Sequence, residues 1–365
     1  MATHSAVVTV GPGLPLEIIH LPAPTPRDNE ICVRPLWAAA TPLDLHQADG
    51  GLLVQPPQVL GDGIVGTVIE LGPTATKYRV GDTVFGFTWR TQAEKGHQEV
   101  VVAPEFLFGK VPGNVSLQAA VTLPNNFVSA WHTLTKDLGF ELPWPKPEGY
   151  VPREREQWIL IWGGGSSVGQ FALQILKWYG YTNLATTASK AHHEKLQRYG
   201  AAKCFDYRDA DVEAQLLSFA PTGFPFILDC IGNLNGSVLP ISRALSSSSS
   251  TVKLAILLPI IIRDPGPGTT PIYSMDVSTI LGTPWPANVE AVGVRTHFYL
   301  DNEFLKEKLQ SEIMPSLLEW GVIEPNEVVL VEGGTMLERA ERALAILREK
   351  GVSGQRVVWR VCEDT

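Results

Sequence analysis

Trp158-Ile-Leu-Ile-Trp-Gly-Gly-Gly-Ser-Ser-Val-Gly169 joins a short apolar run to a glycine-rich turn and then to a helix. The run Trp158 to Trp162 predicts a buried strand. Gly163, Gly164 and Gly165 let the backbone turn sharply and come close to a pyrophosphate. The amides that open the following helix, from Ser166, Ser167 and Val168 onward, then face the phosphates, where the helix dipole favours negative charge. Val168, Phe171, Ala172, Ile175, Leu176 and Tyr179 repeat at helical spacing and define one buried face, which Gly180 closes. The turn reads Gly164-x-Ser166-x-x-Gly169, with serine where the usual fingerprint has its second glycine. Taken alone, such a turn also suits a plain strand–helix connection.

Its surroundings favour the nucleotide reading. Asn183–Thr187, Lys203–Tyr207 and Phe226–Ile231 read as strands, and Lys190–Tyr199 and Val212–Phe219 as helices. Strands alternating with helices mean parallel βαβ units, hence a Rossmann domain that begins near mid-chain. Domains of this kind that bind NAD place an acid about 20 residues past the turn to hold the ribose 2′-hydroxyl. Here the neighbourhood reads Thr186-Thr187-Ala188-Ser189-Lys190, without a carboxylate. Ser189 can hydrogen-bond a 2′-phosphate and Lys190 can neutralise it, so NADPH is the expected cofactor. Ser189 equally suits a helix N-cap, and Lys190 a solvated first turn. Tyr207 and Arg208 are candidates to pack near the adenine, with ordinary packing the alternative for Tyr207.

The chain has 365 residues, enough for two domains, and a formal net charge of −9 from 29 basic and 38 acidic residues. No basic run stands out, which argues against a nucleic-acid partner. The cysteines Cys32, Cys204, Cys230 and Cys362 are scattered, form no CxxC pair, and suit a reducing cytoplasm. The start of the chain lacks signal-peptide character, and the most apolar run, Leu254–Ile262, contains Pro259 and is too short to span a bilayer. It reads as a buried parallel strand leaving the core, and Ser246–Ser250 as a loop before it.

Residues 1–127 are rich in proline, glycine and short β-like segments: Ala6–Val10, Glu30–Leu36, Gly63–Leu71, Thr83–Phe87 and Gln98–Ala103. They predict a compact β-barrel domain. The nucleotide-binding pattern occupies 128–299. Residues 300–365 return to helix (Glu303–Trp320), strand (Val328–Val331), helix (Thr335–Glu349) and strand (Gln355–Val361). Both ends are thus expected to form one discontinuous domain with the nucleotide domain inserted and an active cleft between. The proline-rich stretch 139–157 reads as an irregular surface linker, with partner docking as the alternative.

Several motifs together resemble the medium-chain dehydrogenase/reductase superfamily across nearly the whole chain. They are Gly61-Asp-Gly-Ile-Val-Gly-Thr-Val-Ile-Glu-Leu-Gly72, Val80-Gly-Asp-Thr-Val-Phe-Gly86, Leu123-Pro124 with Ser129-Ala130-Trp131, and Asp229-Cys-Ile-Gly232. The resemblance is to the zinc-free quinone oxidoreductase-like branch, and within it to fungal trans-acting enoyl reductases that partner polyketide synthases. Phe205-Asp-Tyr-Arg208, Leu228-Asp-Cys-Ile231 and the proline-rich loop carry that second likeness. It implies an α/β fold: a Rossmann doubly wound parallel sheet inserted in a GroES-like, β-barrel-containing catalytic domain, with Ile231 added to the cofactor contacts. Zinc-dependent members carry ligands where this chain has Thr41 and Asp62, and their four-cysteine lobe is missing, so a metal-free site follows.

The implied reaction delivers hydride from NADPH to the β-carbon of an α,β-unsaturated carbonyl compound, while charge grows on its oxygen. Ser129, Asn125 and Asn126 are the candidate donors to that oxygen. Ser129 matches a hydroxyl residue of the enoyl reductase pattern and equally suits a helix-start hydroxyl bonding backbone. His46 stands where those enzymes have lysine; an imidazole can donate a proton near neutral pH, and a packed or surface histidine is the alternative. Asp44 anchors the local turn. Leu258 replaces an asparagine near the nicotinamide. Gly282 matches a glycine lining an acyl tunnel, whose wall Ile256, Leu257 and Trp285 would make apolar, with plain core packing the other reading. The leading expectation is a trans-acting enoyl reductase for a polyketide acyl chain. Alternatives are a free-standing quinone or enone oxidoreductase, and a member repurposed for non-redox polyketide processing.

Overall fold

The computed structural model describes residues 2–245, 251–266 and 269–363. The serine run Ser246–Ser250 lies outside them. The chain folds as two compact units: Met1–Val128 with Pro265–Pro271 and Leu300–Thr365, and Ser129–Asp264 with Ile272–Tyr299.

The second unit is built on six parallel strands in the spatial order Lys203–Phe205, Leu184–Thr187, Ile159–Trp162, Phe226–Asp229, Val252–Leu257 and Val289–Val294. This is the doubly wound order 3-2-1-4-5-6, with its switch point beside the strand that feeds the glycine turn. The register is continuous: Ile161 lies opposite Thr186 on one side and Leu228 on the other. Ile159–Trp162 is buried throughout, as a central parallel strand must be. Helix Ser167–Tyr179 buries its apolar face and ends at Gly180, whose φ of 94° is the left-handed cap conformation. Ile256, placed in the tunnel wall by resemblance, lies inside the apolar core of this unit with Leu160, Ile227 and Leu254.

Two sequence expectations are corrected here. The apolar run Leu254–Ile262 is not one parallel strand. It divides into Val252–Leu257, parallel to its neighbour, and Ile260–Arg263, which turns antiparallel to Ile272–Ser274. Pro259 sits at the break because it has no amide for a ladder. Lys190–Tyr199 divides into a tight 3₁₀ turn, Lys190–His192, and the helix His193–Arg198. The stretch 139–157 contains no helix or strand, as expected of an irregular linker, but parts of it are packed. Leu142 and Pro152 are buried, Trp144 and Tyr150 pack on Trp178 and Tyr179 of the first helix, and the Lys146 ammonium lies 5.0 Å from the Trp178 ring centre.

In the first unit, the larger sheet runs Glu327–Val331, Gln355–Arg360, Glu30–Ala39, Gly63–Leu71, Thr83–Phe87 and Phe108–Lys110, with Val101–Pro104 also on Glu30–Ala39. Three antiparallel strands, Glu17–Pro22, Thr3–Thr9 and Gln58–Val59, form a second sheet. The strand read at Gln98–Ala103 begins only at Val101, because the Gln98 side chain is buried and donates 2.7 Å bonds to the carbonyls of Gln92 and Lys95. Helix Met336–Arg348, capped by Thr335, packs its buried face on Val357 and Trp359 of the last strand. Arg348 grips Asp49 of helix Pro42–Gly50 through two 2.7 Å bonds. The helix expected at Glu303–Trp320 is interrupted by a π segment, Leu309–Ile313. Pro315 has no amide to offer and its ring crowds the carbonyl four residues earlier, which loosens that turn. The loosened turn carries Gln310, whose amide group accepts from Phe87 N–H at 2.7 Å and donates to Phe87 C=O at 3.2 Å.

Candidate active site

The glycine turn leaves the carboxyl end of the central strand, where open parallel sheets bind ligands. Gly163 holds φ at 85°, and its amide donates to the carbonyl and hydroxyl of Thr187, the latter at 3.0 Å. A Cβ on Gly164 would sit 2.0 Å from Thr186 Oγ1, and one on Gly169 would sit 2.5 Å from the Gly163 carbonyl oxygen. The turn and the helix are therefore packed main chain on main chain. Ser166 spends its hydroxyl on the cap, accepting from Gly169 N–H at 3.1 Å, and Gln170 donates to Gly165 C=O at 2.9 Å. The amides of Gly165, Ser167 and Val168 find no acceptor among the described residues. Three amides without an acceptor at the start of a 13-residue helix make a candidate anion cradle. The turn suits a dinucleotide, whose pyrophosphate Gly163–Val168 could hold.

The neighbouring strand ends supply polar groups. Ser189 is buried and precedes the Lys190–His192 turn, yet its side chain makes no capping bond. The fold also brings a carboxylate that local sequence at the second strand did not contain. Asp206, just past the third strand, accepts from Arg208 N–H at 3.0 Å and Lys190 N–H at 3.1 Å. These two amides, Arg208 first, hold its carboxyl below the usual range. Asp206 thereby ties together the segments that carry the Lys190 and Arg208 side chains. Tyr207 is 43% exposed, and the Arg208 guanidinium lies 4.9 Å from its ring centre. On the other side of the turn, Ile231 is 40% exposed, with its side chain lying over Gly163.

Ser129 lies within helix Pro124–His132 rather than at its start. Its hydroxyl accepts from Thr296 Oγ1 at 3.0 Å. Thr296 opens the segment after the sixth strand, and nothing in the sequence marked it. Leu258 packs over Gly293 of that strand. Trp285 packs on the core and donates from its indole N–H to Val277 C=O at 2.7 Å. Gly282 stands with Leu281 at the exposed tip of the hairpin Thr279–Ile280 to Thr283–Pro284, and nothing lies within 4 Å of where its Cβ would be.

In the first unit, Thr41 and Asp44 form a reciprocal capping box on helix Pro42–Gly50. Asp44 also accepts from Gly61 N–H at 2.9 Å, so its oxygens are committed to structure. His46 is buried on the same helix. Asn125 and Asn126 open helix Pro124–His132, and Asn126 donates to Asn125 Oδ1 at 3.0 Å. Asp62 pairs with Lys95 at 2.7 Å, both nearly sealed from solvent. His97 packs against Gly61, and burial pushes its imidazole below the ordinary range. Arg356, on the last strand, is buried with Nε and Nη2 unpartnered among the described residues, and burial lowers its pKa to about 10. It is a sealed cation with donors to spare, which sequence pattern gave no reason to select. Among the described residues no three His, Cys, Asp or Glu are grouped to hold a metal ion, and no helix is long and apolar enough to cross a membrane.

A 3-2-1-4-5-6 parallel sheet with a glycine-turn anion cradle, joined to a β-rich unit built from both ends of the chain, defines a nicotinamide-dependent oxidoreductase. Residues 27–132 match the alcohol dehydrogenase GroES-like domain. Trans-enoyl reductase tazE of Aspergillus terreus is 32% identical over 226 residues, 59% of this chain and 72% of that protein. Trans-enoyl reductase himH of Aspergillus japonicus is 29% identical over 342 residues, 91% of this chain and 90% of that one. Dehydrogenase pigH of Monascus ruber is 34% identical over 55% of this chain, a match spanning 57% of pigH. In fold, the CurK enoyl reductase superposes with a TM-score of 0.75 at 17% identity, covering 98% of this chain and 99% of that one. The chain belongs to the medium-chain dehydrogenase/reductase superfamily, on its enoyl-reductase-like side. It is a reductase.

Proposed function

We propose that this protein is an NADPH-dependent, zinc-independent enoyl reductase that acts on an acyl chain delivered by a polyketide synthase. The observation that carries the reading is the anion cradle at Gly163–Val168 flanked by Ser189 and Lys190. The names of the full-length relatives support the substrate class. When bound, NADPH supplies the hydride for the β-carbon of an α,β-unsaturated thioester.

The remaining work falls to this chain. The amides of Gly165, Ser167 and Val168 would donate hydrogen bonds to the pyrophosphate. The Lys190 and Arg208 cations, carried on segments whose main-chain amides Asp206 ties together, would meet the 2′-phosphate, and Ser189 would add a hydroxyl. The carboxylate of Asp206 is turned to main-chain amides, which leaves the basic side chains to set the preference. Tyr207 would pack near the adenine and Ile231 on the other side of the glycine turn. Ser129, receiving a hydrogen bond from Thr296, offers its own proton to the carbonyl oxygen as enolate charge develops, and Asn125 orients that group. His46 supplies the proton to the α-carbon. Apolar Leu257, Trp285 and the segment of Gly282 receive the acyl chain. Because Asp62 is neutralised by Lys95 and Thr41 is engaged in a helix cap, these positions serve the scaffold rather than a metal.

The test is NADPH oxidation with carrier-bound enoyl thioesters against soluble quinones. Turnover of the thioesters alone supports the proposal. Turnover of quinones alone moves the assignment to a free-standing quinone reductase. NADPH binding without turnover of either moves it to a non-redox role.

A further inference from the structure

We propose that Asp229 and Ser237 are positioning residues for the cofactor, acting through Ile231, which they fix over the glycine turn. The inference rests on the reading of Gly163–Val168 as a nicotinamide dinucleotide site.

Asp229 ends the fourth strand of the parallel sheet, beside the switch point, and is fully buried. One carboxylate oxygen accepts from Ile231 N–H at 2.9 Å and Gly232 N–H at 3.1 Å; the other accepts from Ser237 O–H at 2.7 Å. A buried carboxylate served only by neutral donors is expensive, and the main chain it organises is the return for that expense. That main chain is a sharp turn. Gly232 has φ 58°, its Cβ position would lie 2.3 Å from Leu257 C=O, and its carbonyl accepts from Ile261 N–H at 2.7 Å. The turn aims Ile231 so that a Cβ on Gly163 would lie 2.6 Å from both Cγ1 and Cδ1 of the isoleucine.

The contacts close on themselves. Ser237 receives Asn233 N–H at 3.1 Å, and Asn233 Oδ1 receives Gly236 N–H at 2.9 Å. Gly236 C=O accepts the indole N–H of Trp162 at 3.1 Å, and Trp162 immediately precedes Gly163. Cys230 N–H returns to Trp162 C=O at 2.9 Å. The glycine turn and the Ile231 turn are therefore held as one piece, with Asp229 at its centre. A side chain left 40% exposed beside an anion cradle, yet fixed by a sealed carboxylate, is placed for a ligand rather than for the core.

The experiment is calorimetric titration of the full chain with NADPH, with thermal unfolding of the ligand-free protein run alongside. Asp229→Ala and Ser237→Ala raise the dissociation constant about tenfold, the expected loss of a buried hydrogen bond. Asp229→Asn preserves it within about threefold, because an amide oxygen still receives both main-chain N–H groups while its NH₂ donates to Ser237. Adding Ile231→Ala to Ser237→Ala costs little more than either alone, since both act on the same contact. Tight binding by the alanine variants, or losses that add in full with Ile231→Ala, overturns the inference. Ser237→Ala leaves two of the three bonds in place and serves as the folded variant if Asp229→Ala does not fold. Wild-type protein that binds neither NADPH nor NADH overturns the dinucleotide reading itself, a separate result.

Discussion

Replacing Gly169 by alanine should damage cofactor binding far more than folding. Its new Cβ would lie 2.5 Å from Gly163 C=O and 2.8 Å from Gly164 Cα. Ordinary contact needs about 3.5 Å, so the helix start must retreat from the turn by roughly 1 Å. Both neighbours are main chain, and no side chain can swing aside. The amides of Ser167 and Val168 move with the helix. A hydrogen bond of about 2.9 Å stretched by that amount passes beyond useful range. Two bonds to a phosphate at about 1.5 kcal/mol each come to about 3 kcal/mol, or roughly 150-fold in the dissociation constant. Stability suffers less: overpacking costs about 1–3 kcal/mol, and alanine returns up to about 1 kcal/mol of helix propensity over glycine. The melting temperature should fall by only a few degrees. Titration calorimetry with NADPH measures the first quantity and scanning calorimetry the second. A Gly169→Ala protein that binds NADPH within about threefold of wild type refutes the cradle as the phosphate site.

Three further outcomes are expected. Lys190→Ala should weaken NADPH binding about tenfold and leave NADH binding unchanged; equal losses for both would remove its phosphate role. His46→Ala should lower kcat on an enoyl thioester about 100-fold with KM for NADPH nearly constant, and an unaltered kcat would take His46 out of the proton transfer. Desolvation first of all pushes the Asp229 carboxyl up to about 6, from an ordinary 3.8, so the folded chain holds that proton more tightly than the unfolded chain. Its stabilising contribution is full below about pH 4 and lost as pH rises through about 6, so melting curves of Asp229→Asn should decline less over that window, and an identical slope would refute the assignment.

The first four strands of the parallel sheet were legible because each is a short run closed by a turn signal, and the helix after Gly169 because its apolar repeat ends at a glycine; the sixth strand, Val289–Val294, was not read, since its residues are mostly half-buried and carry a glutamate and a glycine. Periodicity failed where a proline cut a run whose hydrophobicity stayed high, as at Pro259 and Pro315. Both sides of that break look alike to a hydropathy pattern, and only the ladder distinguishes them. At the candidate site, the glycines and Ser189 could be read locally because the role proposed for them is a backbone shape or a position relative to a strand end. Thr296 and Asp206 could not, since each matters through a partner remote in sequence: Thr296 reaches Ser129, and Asp206 reaches back to Lys190. Asp229 lies in the motif Asp229-Cys-Ile-Gly232, but its three donors lie on a turn whose path the sequence does not draw.

The larger sheet of the first unit has a temporal consequence. Glu30–Ala39 takes Gln355–Arg360 as its neighbour, and that neighbour in turn takes Glu327–Val331. Gln310 bonds the buried main chain of Phe87, and Arg348 pins Asp49. On the ribosome, then, the portion translated earliest must idle with an unzipped border until the closing stretch emerges, while the nucleotide-binding insert already has every strand it requires. The portion begun first is completed last, and a chaperone that shields nascent β-edges would find its client in the opening third of this polypeptide.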